Sequence, residues 1–192
     1  MTPRLVHLLD VPAQPWRNGS GVTREMLTNP AGESWQVRVS VADIDADGPF
    51  SRYPGVERWF TVLQGRGVEL TIDGTVHRLA RGDMPLRFDG AAMAHARLID
   101  GPTRDLNLML RCAGGTMQCA IDGQAWRPPA AAACGLFSAV AGRCQADDLP
   151  ATDVPPYALL WFDAAPSTLT FTAGQRPAAL IGWWLAAAPQ EA

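Results

Sequence analysis

The stretch WFTVLQGRGVELTIDGTVHRL, Trp59 to Leu79, decides the fold class of this chain. Trp59–Leu63 is a short β-type run, Gln64-Gly65-Arg66-Gly67 is a turn, and Val68, Leu70 and Ile72 return on one face of a second run. Side chains alternate across a strand, so apolar residues at every second position bury a single face. The stretch therefore reads as a hairpin. Asp73-Gly74 supplies the next turn, into Thr75–Leu79, because a two-residue hairpin loop needs positive φ and Asp-Gly tolerates it.

The same pattern continues on both sides. Trp35, Val37, Val39 and Val41 share one face of a strand, and Gln36, Arg38, Ser40 and Ala42 share the other. Arg81-Gly82-Asp83 is a further turn, and Leu106, Leu108 and Leu110 alternate with Asp105, Asn107, Met109 and Arg111. Only Ser138–Gln145 is read as a short helix. With 18 Gly and 16 Pro breaking the chain into short strands, the fold class is all-β, a barrel or sandwich. After Arg111 the composition shifts, through Ala113-Gly114-Gly115 and the Pro/Ala-rich run Arg127–Cys134. Strands resume at Tyr157–Phe162, Ser167–Thr172 and Pro177–Leu185, and Trp183 and Trp184 must face opposite sides of the last. The expected organisation is a main β unit over 1–112 and a smaller one over 113–192. With only about 80 residues, the second is expected to borrow strands from the first.

Composition narrows the function. A chain of 192 residues with 47% hydrophobic and 18% charged residues is globular. A net charge of −3 argues against a nucleic-acid partner. All 16 basic residues are Arg, which excludes a Schiff-base lysine, a Walker A lysine and a lysine general base. Leu5–Leu9 is too short for a signal-peptide core, and Ala178–Ala188 is about half of a membrane span. Cys112, Cys119, Cys134 and Cys144 form no C-x-x-C pair. The expectation is a cytoplasmic protein with reduced thiols and no membrane partner; a homodimer through a sheet edge or face stays open.

The spacing from Gly48 to Gly65, then Asp73-Gly74 and Gly82-Asp83, resembles the cadence of a cupin barrel. Cupins usually carry H-x-H and a Glu seven residues before a Gly, and these side chains bind a divalent metal. Seven residues before Gly65 stands Arg58, Ser51–Pro54 contains no His, and near Met93 only His95 is available. His7 and His77 are distant in sequence, so no metal and no cofactor are expected. A guanidinium inside a barrel prefers an anion, above all a carboxylate that accepts two hydrogen bonds.

Longer blocks carry a more specific likeness. PWRNGSGVTRE (Pro15–Glu25) resembles the PW[KR]NGGGxTRE signature of the HutD/Ves family, with Ser20 in place of the middle Gly. WQVRVS (Trp35–Ser40), DGPFS (Asp47–Ser51), YPGVER (Tyr53–Arg58) and DLNLMLR (Asp105–Arg111) extend the likeness over most of 15–111, and it weakens after Gly115. The resemblance implies a bicupin, two barrels without a catalytic metal. It further implies a non-catalytic role in histidine utilisation, binding N-formyl-L-glutamate or a similar intermediate and damping expression of the pathway. The Ves branch is stress- or cold-associated.

Within that frame Arg38 or Arg58 holds a carboxylate, Asn107 and Ser40 hydrogen-bond a formyl or amide group, and Phe50 closes the cavity. Trp59 is a second closing residue only if its strand is irregular. Each also has a structural reading: a surface ion pair for Arg38, a pair with Glu57 or Asp47 for Arg58, a satisfied backbone group for Asn107. Ser51 belongs to the site region as a turn residue. Asn18 opens a glycine loop whose N–H groups suit an anion, although the loop reads first as a sharp bend. Arg24 and Glu25 face opposite sides of one strand, so only one of them enters a cavity. Asp43, Asp45 and Asp47 read as a solvated loop, since Pro54 stands where an EF-hand needs Glu. Two other readings remain: an enzyme acting on a small acidic substrate through Glu57, Glu25 or Asp105, or a stress-associated interaction module displaying Trp126, Trp161, Trp183 or Trp184.

Overall fold

The computed structural model describes residues 2–111, 114–129, 133–174 and 181–188; the expected boundary at 112/113, Cys112 and the start of the 177–185 strand lie outside them. The chain divides into two compact units, Val11–Cys112 and Met1–Asp10 with Ala113–Ala192. The first ten residues thus group with the C-terminal unit. Their strand β1 (Arg4–His7) is described with it below.

The N-terminal unit contains β2 (Gln14–Pro15), β3 (Gly21–Asn29), β4 (Val37–Ile44), β5 (Gly48–Pro49) and β6 (Val56–Gln64). It continues with β7 (Val68–Ile72), β8 (Thr75–Leu79), β9 (Leu86–Asp89), β10 (Ala94–Leu98) and β11 (Thr103–Arg111). A six-stranded antiparallel sheet runs β2-β3-β4-β11-β6-β9, and a four-stranded one runs β5-β10-β7-β8. Ala42, Ile44, Phe60 and Val62 of the first pack against Val68, Leu70, Ile72, Ala94 and Ala96 of the second. The sheets share a core, but no strand pairs across them among the described residues, so the unit is an open double sheet and not a closed barrel.

Two local expectations change. Trp59–Leu63 and Val68–Ile72 are not partners, because β6 lies in the six-stranded sheet and β7 in the four-stranded one. Gly65 and Gly67, both at positive φ, carry the chain from one sheet to the other. A Cβ on Gly67 would sit 2.4 Å from the Leu79 carbonyl oxygen, so only glycine fits that crossing. The Asp73-Gly74 hairpin is as read: Ile72 faces Thr75, with φ of 45° and 86° at the two turn residues. Trp35 lies before β4 starts and escapes its alternation. Its ring packs with Val56 and Met109, and the Arg111 guanidinium lies 4.4 Å from its centroid.

The C-terminal unit contains β12 (Gly115–Cys119), β13 (Ala125–Trp126), β14 (Ala133–Ser138) and β15 (Gly142–Ala146). It ends with β16 (Thr152–Val154), β17 (Ala158–Phe162), β18 (Leu169–Ala173) and β19 (Gly182–Ala187). Its sheets run β1-β17-β14-β19-β12 and β13-β18-β15-β16. Adding eight to each label of β4-β11-β6-β9 and β5-β10-β7-β8 reproduces this order, so the two units repeat one topology without a visible sequence repeat. β1 completes the five-stranded sheet by pairing with β17, Leu5 opposite Leu160. The expected helix at Ser138–Gln145 is absent, since those residues end β14 and open β15. A Cβ on Gly142 would lie 2.4 Å from the Thr172 carbonyl oxygen, which shows how closely β15 and β18 pack there. No helix among the described residues is long and apolar enough to cross a membrane. Cys119, Cys134 and Cys144 are free thiols.

Candidate functional site

Antiparallel register builds the site. Arg38, Met109 and Arg58 form one row across β4, β11 and β6, and Ser40, Asn107 and Phe60 form the next. All six point to the interior, because Val37, Val39 and Val41 and Leu106, Leu108 and Leu110 take the opposite, buried face of the same sheet. These two rows floor a cavity of about 480 Å³. Its walls come from Phe50, Ser51 and Tyr53 after β5 and from Trp16, Arg17 and Asn18 between β2 and β3.

Arg58 is the decisive group. It is 7% exposed, and among the described residues no carboxylate pairs with it. Nη2 donates to Asn107 Oδ1 at 3.0 Å and Nη1 to the Ser51 carbonyl at 3.4 Å, while Nε is buried without a partner. The rings of Phe88, Phe50 and Tyr53 surround the guanidinium, 5.0, 5.1 and 5.9 Å from its carbon. Burial lowers its pKa to about 10, and the neighbouring charge of Arg38 pushes the same way. Glu57 and Asp47, its expected structural partners, are engaged elsewhere. Glu57 accepts from Trp59 Nε1 and Arg87, and Asp47 accepts from the Leu98 N–H.

Arg38 differs. Its Nη2 donates to Glu25 Oε1 at 2.6 Å, and Nη1 makes a long contact of 3.5 Å to the Tyr53 hydroxyl. Tyr53 is held by Gly90: its N–H donates to the Gly90 carbonyl, and the Gly90 N–H donates to that of Val56, each at 2.7 Å. A Cβ at Gly90 would stand 2.7 Å from both the Tyr53 and Val56 oxygens and push this wall away. Phe50 is wedged between Trp16 and Phe60, with ring centroids 6.4 and 5.8 Å away.

Of the residues expected at the site, Asn18, Arg38, Ser40, Phe50, Ser51, Arg58 and Asn107 line this one cavity. Arg24 does not. It donates to Asp43 at 2.7 Å, and Arg104 donates to the same carboxylate from the next strand but one. Burial raises the Asp43 pKa, but these two guanidiniums outweigh it and hold the carboxyl below its ordinary value. Asp43 is therefore a bridging strand residue and not part of a solvated loop. The Asn18 loop is closed on itself: Ser20 donates to Asn18 Oδ1 from both N–H and hydroxyl, and the Gly19 N–H donates to the Trp16 carbonyl. Its backbone donors are engaged internally rather than held out to an anion.

Comparison with known proteins now adds to the geometry. The HutD family profile matches residues 9–179. The chain belongs to the HutD family. It is 38% identical over 111 residues, 55% of this chain, to an uncharacterised 21.2 kDa protein in the hutC 3′ region of Pseudomonas putida, covering 57% of that protein. Protein Ves of Citrobacter koseri is 40% identical over 104 residues, 53% of this chain and 54% of Ves. The chain thus spans about half the length of the curated relatives it matches. HutD from Pseudomonas fluorescens superposes with a TM-score of 0.81 at 26% identity, covering 96% of this chain and 97% of that one. A cupin conserved-barrel protein from Leptotrichia buccalis, TM-score 0.57 at 9% identity over 96% of both chains, shares the fold alone. The fold is of the cupin type.

Cupin folds commonly hold a divalent metal, and the residues of this HutD-family site do not fit one. Among the described residues no three His, Cys, Asp or Glu side chains are grouped to ligate an ion. Arg58, seven residues before Gly65 where the cupin spacing calls for a carboxylate, is cationic, and His95 is exposed on β10, between the buried Ala94 and Ala96. The acids of the enzyme reading also stand apart from the cavity. Glu57 is on the other face of β6 and Glu25 is bound to Arg38. Asp105 is wholly buried, one row beyond Asn107, where burial raises its pKa to about 8. Trp126, Trp161, Trp183 and Trp184 are all buried, so none is an exposed anchor for an interaction module. Sequence periodicity missed Tyr53, Trp16 and Phe88. The first two lie in irregular segments, where alternation carries no signal, and Phe88 reaches Arg58 from a short edge strand.

Proposed function

We propose that this protein binds a small carboxylate without transforming it, that N-formyl-L-glutamate is its ligand, and that binding serves the regulation of histidine utilisation. The observation that carries the reading is Arg58, a buried guanidinium facing a cavity with no carboxylate of its own. Burying a charge is costly unless it is paired, and a ligand carboxylate supplies the missing partner with two parallel hydrogen bonds. Asn107 uses Oδ1 on Arg58 and so presents its amide N–H groups, which suit a formyl or carboxyl oxygen. The aromatic wall accepts the methylene chain between the polar ends. Among the described residues the cavity lining contains no Asp, Glu, His, Cys or Lys, and its one titratable hydroxyl, that of Tyr53, sits against the Arg38 guanidinium. Membership of the HutD family and the P. putida relative beside hutC support the pathway.

A thermal-shift titration of chelator-treated protein tests this, with N-formyl-L-glutamate, L-glutamate, urocanate, histidine and divalent metals compared. At about 100 times its Kd a ligand adds about 2.7 kcal/mol of stability. N-formyl-L-glutamate is expected to stabilise selectively, and Arg58→Met and Asn107→Ala are expected to remove the effect. A flat response to every acid, or a response to metal alone, overturns the reading.

A further inference from the structure

Among the described residues three guanidiniums line the cavity, and their surroundings differ. Arg17 is exposed at the mouth, where water screens it. Arg58 is buried and unpaired. Arg38 lies between them in burial, its side chain 15% exposed, and it is committed to Glu25, which does not itself line the cavity. We propose that Glu25 sets the charge this cavity accepts: by holding Arg38 it leaves Arg58 as the enclosed guanidinium with no carboxylate partner among the described residues, so the enclosed space takes a single carboxylate group. A ligand with two carboxylates must then keep the second at the mouth. This rests on the anion-binding reading above and deepens it.

The argument is one of competition. A second anion entering the enclosed space finds only Arg38, whose Nε is buried without a partner but whose charge Glu25 already balances. To capture Arg38 it must displace Glu25, which then keeps the Thr28 hydroxyl donating to Oε2 at 3.2 Å. The displaced carboxylate is half-buried and would lose its ion partner. A lone carboxylate at Arg58 disturbs none of this. Glu25 is accordingly a positioning residue that acts through Arg38 on selectivity between singly and doubly charged ligands.

The test uses acetate and malonate, whose two carboxylates are too close together for one to remain at the mouth. Calorimetric titration at low salt is expected to show Glu25→Gln shifting the malonate-to-acetate affinity ratio about tenfold toward malonate, since a free charge at contact distance is worth at least that much in a partly buried site. The double variant Glu25→Gln/Arg38→Gln is expected to lose that gain. An unchanged ratio in folded Glu25→Gln overturns the proposal. A second measurement needs no variant fold: in the wild-type protein, acetate should move the guanidinium NMR signals of Arg58 and leave those of Arg38 in place. Equal movement of both also overturns it. If neither anion nor N-formyl-L-glutamate binds the wild-type protein, the anion-binding reading itself falls; binding without a ratio change removes the role of Glu25 alone.

Discussion

The N-terminal and C-terminal units arrange their strands in the same order, β4–β11 in one and β12–β19 in the other, yet their inward faces carry different chemistry. On the central strand β11 the inward residues are Asp105, Asn107 and Met109, flanked by Ser40, Arg38 and Arg58. On its counterpart β19, Trp184 and Ala186 turn inward, among Cys134, Leu136, Leu160 and Phe162. Trp184 stacks on Trp126 with ring centroids 4.9 Å apart and planes 5° from parallel. Where one unit keeps a polar hollow, the other fills the space with paired indoles. One topology therefore serves as a container in the first case and as a solid core in the second, and function follows the inward side chains rather than the fold.

The largest expected effect separates the two interiors directly. Trp184→Ala empties the centre of the packed core and is expected to cost about 3–5 kcal/mol in denaturant unfolding, because little around it can collapse into the void. A cost below about 1 kcal/mol would show that the C-terminal interior is not the tight core described. The next prediction concerns the ionisable groups. Burial pushes the Cys134 and Cys144 thiols up to about 12, so they stay protonated and give the C-terminal core no pH dependence near neutrality. Asp105 of the N-terminal unit is different. Its unfolded value is 3.8 and its folded value about 8, so between these the folded chain holds a proton the unfolded chain has released. Stability from this group is complete below 3.8 and is lost as pH rises toward about 8, by up to about 1.4 kcal/mol per pH unit. Asp105→Asn keeps an acceptor for the Thr103 hydroxyl and is expected to flatten that slope in urea unfolding curves measured across the window. Parallel pH profiles for the two proteins would refute it.

Much of this contrast was legible in the sequence, for a definite reason. Period-two alternation fixes which residues share a face, so it groups Arg38 with Ser40, and Asp105 with Asn107 and Met109, as the strand register does. The absence of His from Ser51–Pro54 and the presence of Arg at position 58 made an anion, rather than a metal, the expected ligand. Alternation says nothing of which strand lies beside which. The Trp59–Ile72 stretch reads as a hairpin, and only the pairing of β6 with β11 and β9, and of β7 with β10 and β8, shows that it crosses between sheets. Alternation also stops where a strand stops. Trp35 stands two residues before β4 and packs on the face opposite to its expected one, and Tyr53 reaches the cavity from a loop fixed by the distant Gly90. Glu25 was seen as a candidate acid; its partner Arg38, which defines its use, comes from pairing across β3 and β4.

The smallest expected effect asks whether the hollow is maintained at the expense of stability. Burial lowers the Arg58 pKa from its ordinary value to about 10, so below about 10 the folded state carries the full cost of burying the charge, and above it stability rises with pH as that cost is relieved. Three rings and the Asn107 carbonyl offset part of that cost, while the orphaned Nε offsets none. Arg58→Met keeps the length and apolar bulk, removes the charge, and leaves Asn107 Oδ1 free to turn toward the open cavity. Replacing a buried charge by a well-packed apolar chain is commonly neutral or stabilising, so unliganded Arg58→Met is expected to gain about 1 kcal/mol in denaturant unfolding near neutral pH. The same substitution should abolish stabilisation by a carboxylate. A loss of more than about 1 kcal/mol without ligand would mean that Arg58 holds the unit together and is not held in reserve for an anion.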